Sequence, residues 1–174
     1  MNRIRARFAR ISRPALAQSG ERVLDSRPHM SGKIDIQTRE FSIDDYDAAI
    51  ELWSRVEGLD IAEGDDQESI RRFLRQNRGL SRVATDGSTM VGAVLCGHDG
   101  RRGYIYHLAV DPNYRGRGLG KRLIDECLEG LKRAGLQRAN ILVAKDNPRG
   151  CEFWRRCGWE DLDGAAAMGK DVCK

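Results

Sequence analysis

Three features of the sequence predict a mixed α/β fold in which an antiparallel meander runs into a β-α-β crossover. Two strand-like runs, Ser81–Thr85 and Met90–Cys96, flank Asp86-Gly87-Ser88, where glycine supplies the positive φ that a tight hairpin needs. A glycine-rich loop carries the apolar run Tyr104–Val110 directly into a stretch of helical period with Leu119, Leu123, Cys127 and Leu131 on one side. The 174 residues, 40% hydrophobic and 32% charged with 19 glycines against 4 prolines, suit one loop-punctuated α/β domain.

The remaining elements follow in order. Ile34–Phe41 alternates as a strand. Ser42 with Asp45 three residues on has the form of a capping box, opening a helix that runs to about Glu57 with Tyr46, Ile50 and Trp53 on its apolar face. An acidic loop, Gly58–Asp66, precedes a second helix carrying Ile70, Phe73 and Leu74, which ends near Asn77–Gly79. Beyond the long helix, Asn140–Ala144 reads as a strand and Arg149–Arg156 as a short helix. Two weaker strands are expected at Trp159–Leu162 and Ala165–Lys170. The expected order is therefore β-α-α-β-β-β-α-β-α-β-β, a mixed sheet rather than a doubly wound one.

Charge is distributed unevenly. Residues 1–33 hold eight Lys/Arg against two acids, which leaves 22 against 24 for the other 141 residues. With so neutral a body, the net charge of +4 gives no basic groove, and nucleic acid is not an expected partner. No run approaches the roughly 18 apolar residues that a membrane-spanning helix requires, so no membrane partner is expected. Residues 1–33 read as an Arg-rich leader with no acid before Glu21: a transit peptide, or else the product of an upstream start codon or a disordered tail, with Met30 as the true start of the fold. Residues 34–174 then form the single domain. Cys96, Cys127, Cys151, Cys157 and Cys173 contain no C-x-x-C pair and no regular spacing with histidines, so no metal site is expected. Scattered reduced thiols fit a cytoplasmic protein.

The most informative stretch is His107–Arg122, H-L-A-V-D-P-N-Y-R-G-R-G-L-G-K-R. Gly116, Gly118 and Gly120 let the backbone approach a ligand, and the first amides of the following helix have no intrahelical acceptor. The helix dipole and the cations Arg115, Arg117, Lys121 and Arg122 complete a site for a pyrophosphate-like anion. The spacing fits neither a Walker A loop nor a dinucleotide fingerprint, since Lys121 is followed by Arg122 and the glycines read G-x-G-x-G.

Arg115-x-x-Gly118-x-Gly120, after a strand ending Leu108-Ala109-Val110, resembles the [QR]-x-x-G-x-[GA] motif of the GNAT superfamily of N-acetyltransferases. Asn147, Trp154, Gly158 and Trp159 stand where that family commonly has N-x6-Y-x-x-x-G-F, and the resemblance spans about Ile34 to Val172. It implies an acetyl-CoA site between splayed central strands, with a bulge in the strand Tyr104–Val110. Backbone groups of Leu108 and Val110 would hold the pantetheine arm, and the amides of Arg115, Gly116, Arg117, Gly118, Leu119, Gly120 and Lys121 the pyrophosphate. Asn147 and Trp154 would complete the cofactor side, with no metal.

The implied reaction is direct acetyl transfer to a primary amine of a small molecule or a protein N-terminus. A base must take a proton from the acceptor ammonium. His107, beside the cleft and carrying an imidazole, the side chain best suited to proton transfer at neutral pH, is the candidate. Tyr106 is expected on the opposite face unless the bulge realigns it, where it would order a water. The tyrosine acid of the family is replaced by Trp154, whose indole has no useful acidity, leaving Cys151 one turn earlier as a substitute. The departure also admits an acyl-CoA-binding regulatory protein with weak catalysis. Glu57, Asp60, Glu63, Asp65 and Asp66 form an acidic rim suited to a cationic acceptor. Sheet edges at the C-terminal strands suit a homodimer.

Overall fold

The computed structural model describes residues 35–172; the Arg-rich leader lies outside the described residues. Five strands form one sheet in sequential order: β1 (Ile36–Glu40), β2 (Arg82–Asp86), β3 (Thr89–His98), β4 (Gly103–Val110) and β5 (Ala139–Ile141). Pairing is antiparallel up to β4 and parallel between β4 and β5. A β-α-β crossover of this kind needs a helix, and α3 (Leu119–Arg133) supplies it.

Local chemistry fixes the element boundaries. Gly87 turns at φ +58 between β2 and β3. Asp45 accepts the Ser42 N–H at 2.9 Å, as the capping box requires, and takes two guanidinium bonds from Arg39 at 2.6 and 2.7 Å. A 3-10 turn at Ile43–Asp45 therefore leads into α1 (Tyr46–Arg55). Asp66 caps α2 (Gln67–Gln76) through the Ser69 N–H at 3.0 Å, and Asn147 caps α4 (Pro148–Arg156) through the Gly150 N–H at 2.8 Å.

The sheet buries both faces. Phe41, Leu52, Trp53, Ile70, Val83 and Leu95 form a core with α1 and α2, while Val94, Ile105, Leu123, Ile124, Cys127 and Trp154 form the other with α3 and α4. Such three-layer burial accounts for the near-continuous burial of β3, which has polar-free faces on both sides. Cys96 and Cys127 are buried as thiols within the second core. No helix among the described residues is long and apolar enough to cross a membrane.

Two expectations at the C-terminal end need correction. β5 stops at Ile141, short of the expected Ala144. The final pair, Trp159–Leu162 and Ala165–Lys170, forms no strand: residues 159–172 contain no helix or strand. Asp161 falls within the first run, Asp163 and a positive-φ Gly164 follow directly on it, and Ala165–Ala167 offers no β-branched surface to bury. The homodimer expectation thereby loses the strand edges on which it rested.

At the other end of β4, Gly103 admits α3. A methyl group there would stand 2.3 Å from Leu131 Cδ1. Gly103→Ala should cost about 1–3 kcal/mol by overpacking. Urea denaturation of the Gly103→Ala/Leu131→Ala double variant should show a loss smaller than the sum of the two single losses, because the shortened side chain makes room.

Candidate active site

One extra residue in β4 organises the site. Ala93 pairs with Ala109 and Leu95 with Tyr106, so two steps along β3 match three along β4. The bulge falls at His107, whose φ of +51 is the one positive value of a non-glycine among the described residues. Its effect appears in the packing. Ile105 belongs to the α3 core and Ala109 to the α1 core, although strict alternation would put both on one face.

The bulge brings His107 to the same face as Tyr106. The imidazole meets the Trp53 ring of α1 edge-on at 4.9 Å, and Tyr106 meets Phe73 of α2 edge-on at 5.9 Å while stacking on Tyr104 at 6.1 Å. His107 Nε2 lies 2.9 Å from Asp65 Oδ2, across 42 residues of sequence. Burial alone would raise the Asp65 carboxyl, but hydrogen bonds from His107 and the Ala62 N–H outweigh it and hold the group below the ordinary carboxylate range. Burial, followed by neighbouring Tyr104, pushes the Tyr106 hydroxyl up, so Tyr106 stays a donor at neutral pH.

β4 also loses its neighbour here. Only Gly103, Tyr104 and Ile105 pair with β5, after which Leu142 leaves the sheet and is exposed. The strands thus splay, and among the described residues Tyr106–Val110 has no strand partner on that side. The Asp111 N–H donates to the Val91 carbonyl, so by alternation the backbone groups of Val110 point away from β3 into the gap. The Val110 carbonyl accepts from Arg115 Nε at 3.0 Å. Leu108 packs its side chain toward the α3 core.

The loop between β4 and α3 closes the other side. Gly116 and Gly118 sit at φ +74 and +77 with open space where a Cβ would project. Gly118 is the N-cap of α3 and offers no side chain, and the first turn holds no acid. The first intrahelical bond is Arg122 N–H to the Gly118 carbonyl, which leaves the amides of Leu119, Gly120 and Lys121 without helical acceptors. α2 and α4 satisfy such amides with Asp66 and Asn147. Among the described residues α3 has no such side-chain cap, and a helix start of this kind is suited to an anion.

α4 forms the wall beyond the loop. A methyl at Gly120 would come within 3.2 Å of Phe153, so the glycine lets α4 approach. Gly58 after α1 lies against the Asn147 side chain. Asn147 thus spends its oxygen on capping α4. Trp154 is 7% exposed and packs edge-on to Phe153 and Trp159, which makes it a core residue rather than a group presented to a ligand. Cys151 Sγ is 4.0 Å from the Ala144 carbonyl. Two of the four loop cations are committed elsewhere. Lys121 pairs with Asp125, and Arg122 reaches β1 at the Ile36 carbonyl and Thr38 Oγ1.

Asp65 is the residue that sequence reasoning missed as a specific partner, since it stood only as one charge among five on the rim. Nothing in a spacing of 42 residues signals the contact; the acidic character of the loop was the available hint.

The family follows from comparison. Residues 43–159 match the model of the acetyltransferase (GNAT) family. The chain belongs to this family. It is 33% identical over 135 residues to an acetyltransferase of Sodalis glossinidius, covering 78% of this chain and 94% of that one. An acetyltransferase of Pectobacterium atrosepticum is 33% identical over 128 residues, 74% of this chain and 90% of its own. Among solved structures, an aminoglycoside acetyltransferase from a soil metagenomic sample in complex with sisomicin superposes with TM-score 0.63 at 20% identity, over 79% of this chain and 97% of that one. A Mycobacterium tuberculosis protein in complex with CoA gives 0.60 at 22%, over 76% of each chain. The molecule is a GNAT-type acetyltransferase.

The Asp65 contact carries a pH signature. A carboxyl held low in the folded state adds stability above its unfolded pKa of about 3.9 and loses it as pH falls through the lower folded value. Denaturation of the parent and Asp65→Asn at pH 7 and near pH 3 should show the parent's advantage at pH 7 shrinking in acid.

Proposed function

We propose that the protein is an acetyl-CoA-dependent N-acetyltransferase acting on a primary amine of a small molecule or a protein N-terminus. The observation that supports this most is the uncapped N-terminus of α3 beside the unpaired length of β4. One offers amides without helical acceptors to a pyrophosphate, and the other backbone groups without a strand partner to an amide-bearing arm. In this reading the amides of Gly116–Lys121 hold the diphosphate, aided by Arg115 and Arg117, while Leu108 and Val110 take the pantetheine through main-chain bonds. Asn147 and Phe153 bound the thiol end. Acetyl-CoA supplies an acyl group on a thiolate of pKa near 8.5, a leaving group that needs no strong acid. Burial of Trp154 therefore need not abolish turnover, and Cys151 is not required as a donor.

The acceptor enters on the face of α1 and α2. Tyr104, Tyr106 and Phe73 present aromatic surface to an ammonium, and Glu57, Asp60, Glu63 and Asp66 lie exposed on the adjoining loop. His107 takes the ammonium proton so that a neutral nitrogen attacks the acetyl carbon. The CoA-bound relative and the neighbours acting on sisomicin-type aminoglycosides and glucosamine-6-phosphate fit an amine acceptor. We place the enzyme in the cytoplasm, in keeping with its unpaired thiols.

Calorimetric titration with acetyl-CoA and CoA tests the donor site. The parent should bind both saturably. Gly118→Asp should bind at least about tenfold more weakly, a loss of about 1.4 kcal/mol. Asp tolerates positive φ and finds open space at this position, so the variant should fold. Gly118→Asn, the same shape without charge, should lose less. No binding by the parent would refute the acetyl-CoA reading and the weakly catalytic acyl-CoA-binding alternative together; binding without thiol release on any amine would favour that alternative.

A further inference from the structure

We propose that Asp65 is a positioning residue: it fixes His107 in the tautomer that carries hydrogen on Nε2, so that Nδ1 is the atom that accepts the proton of the incoming amine. The kinetic half of this inference rests on the acetyl-transfer reading above; the tautomer does not.

The geometry supports it from several sides. His107 Nε2 and Asp65 Oδ2 are 2.9 Å apart, with side chains only 19% and 12% exposed. An ionised carboxylate can only accept, so a neutral imidazole in this contact must donate from Nε2 and keep its lone pair on Nδ1. Among the described residues no group hydrogen bonds to Nδ1. The ring has little freedom to turn, since Trp53 packs on it edge-on and the bulge fixes its backbone at φ +51.

Asp65 is itself anchored. Its carboxylate accepts the Ala62 N–H at 2.8 Å, and its carbonyl accepts the Tyr46 hydroxyl of α1 at 2.9 Å. The acidic loop is therefore tied to the helix that packs on His107. A loop that only carried solvated charge would need none of these bonds.

The proton and electron accounts balance. The ammonium gives one proton to Nδ1, and the imidazolium is stabilised by Asp65. The freed nitrogen pair forms the C–N bond as the C–S bond breaks and its electrons leave on sulfur. The second nitrogen proton passes to the thiolate, and the first leaves from the imidazolium to solvent. Ammonium and thioester thus become amide, thiol and one released proton.

Two-bond nitrogen–proton correlation spectra of protein labelled with 15N in histidine read the tautomer, with His107→Gln assigning the resonances. The parent should show the Nε2–H form at neutral pH. Asp65→Asn, whose amide can donate as well as accept, should shift the population toward Nδ1–H, and Asp65→Glu should restore it in part. Thiol release from acetyl-CoA with glycinamide as acceptor should fall in Asp65→Asn by about tenfold to hundredfold in kcat, with KM for acetyl-CoA unchanged. A parent already in the Nδ1–H form, a spectrum unchanged by Asp65→Asn, or an unchanged kcat would overturn the proposal. An Nε2–H form that depends on Asp65, in a parent that releases no thiol with any amine, would keep the tautomer assignment and refute the acetyl-transfer reading instead. Should Asp65→Asn fail to fold, the parent spectrum and Asp65→Glu still decide.

Discussion

An extra residue in β4, at His107, and the early end of β5, at Ile141, together open the sheet between its last two strands. The bulge exchanges the faces of everything after Tyr106, so that an imidazole which would have pointed into the α3 core turns toward α1. Lost pairing beyond Ile141 leaves main-chain groups without a strand to bond. An unpaired strand edge between two helical layers is costly unless a ligand or water satisfies it. In the proposed reading a donor with amide groups along its length meets that need, and the uncapped start of α3 meets its anionic end.

The same logic explains why the helices are capped differently. Asp66 and Asn147 each satisfy an amide in the first turn of α2 and α4, and Gly118 at the head of α3 has no side chain to do so. Arg122 and Lys121 are used to fasten α3 to β1 and to its own surface, so the proposed anion site would rely on oriented amides with Arg115 and Arg117 nearby rather than on four free cations.

Much of this was legible in the chain. The Asp-Gly-Ser hairpin, the Ser42–Asp45 cap and the period of Leu119–Leu131 are local signals, and each element lies where those signals put it. The glycine loop was legible because positive-φ turns restrict composition. What could not be read was non-local. The 42-residue reach from Asp65 to His107 leaves no trace in spacing, and the capping role of Asn147 is hidden inside a motif that suggested a cofactor contact. The C-terminal strands failed because alternation over four to six residues is weak against Asp161, Asp163 and Gly164. The role of Trp154 turned on packing, since its ring fills the space between α3 and Trp159.

The central claim is that the donor lies in the gap between β4 and β5, against the N-terminus of α3, and amide chemical-shift mapping tests it most directly. Titrating CoA into 15N-labelled protein should move the amides of Val110 and Gly116–Lys121 most, with smaller shifts along α4. Shifts concentrated instead on the outer side of α3, around Arg82, Glu129 and Arg133, with Val110 and Gly118 unmoved, would contradict the account.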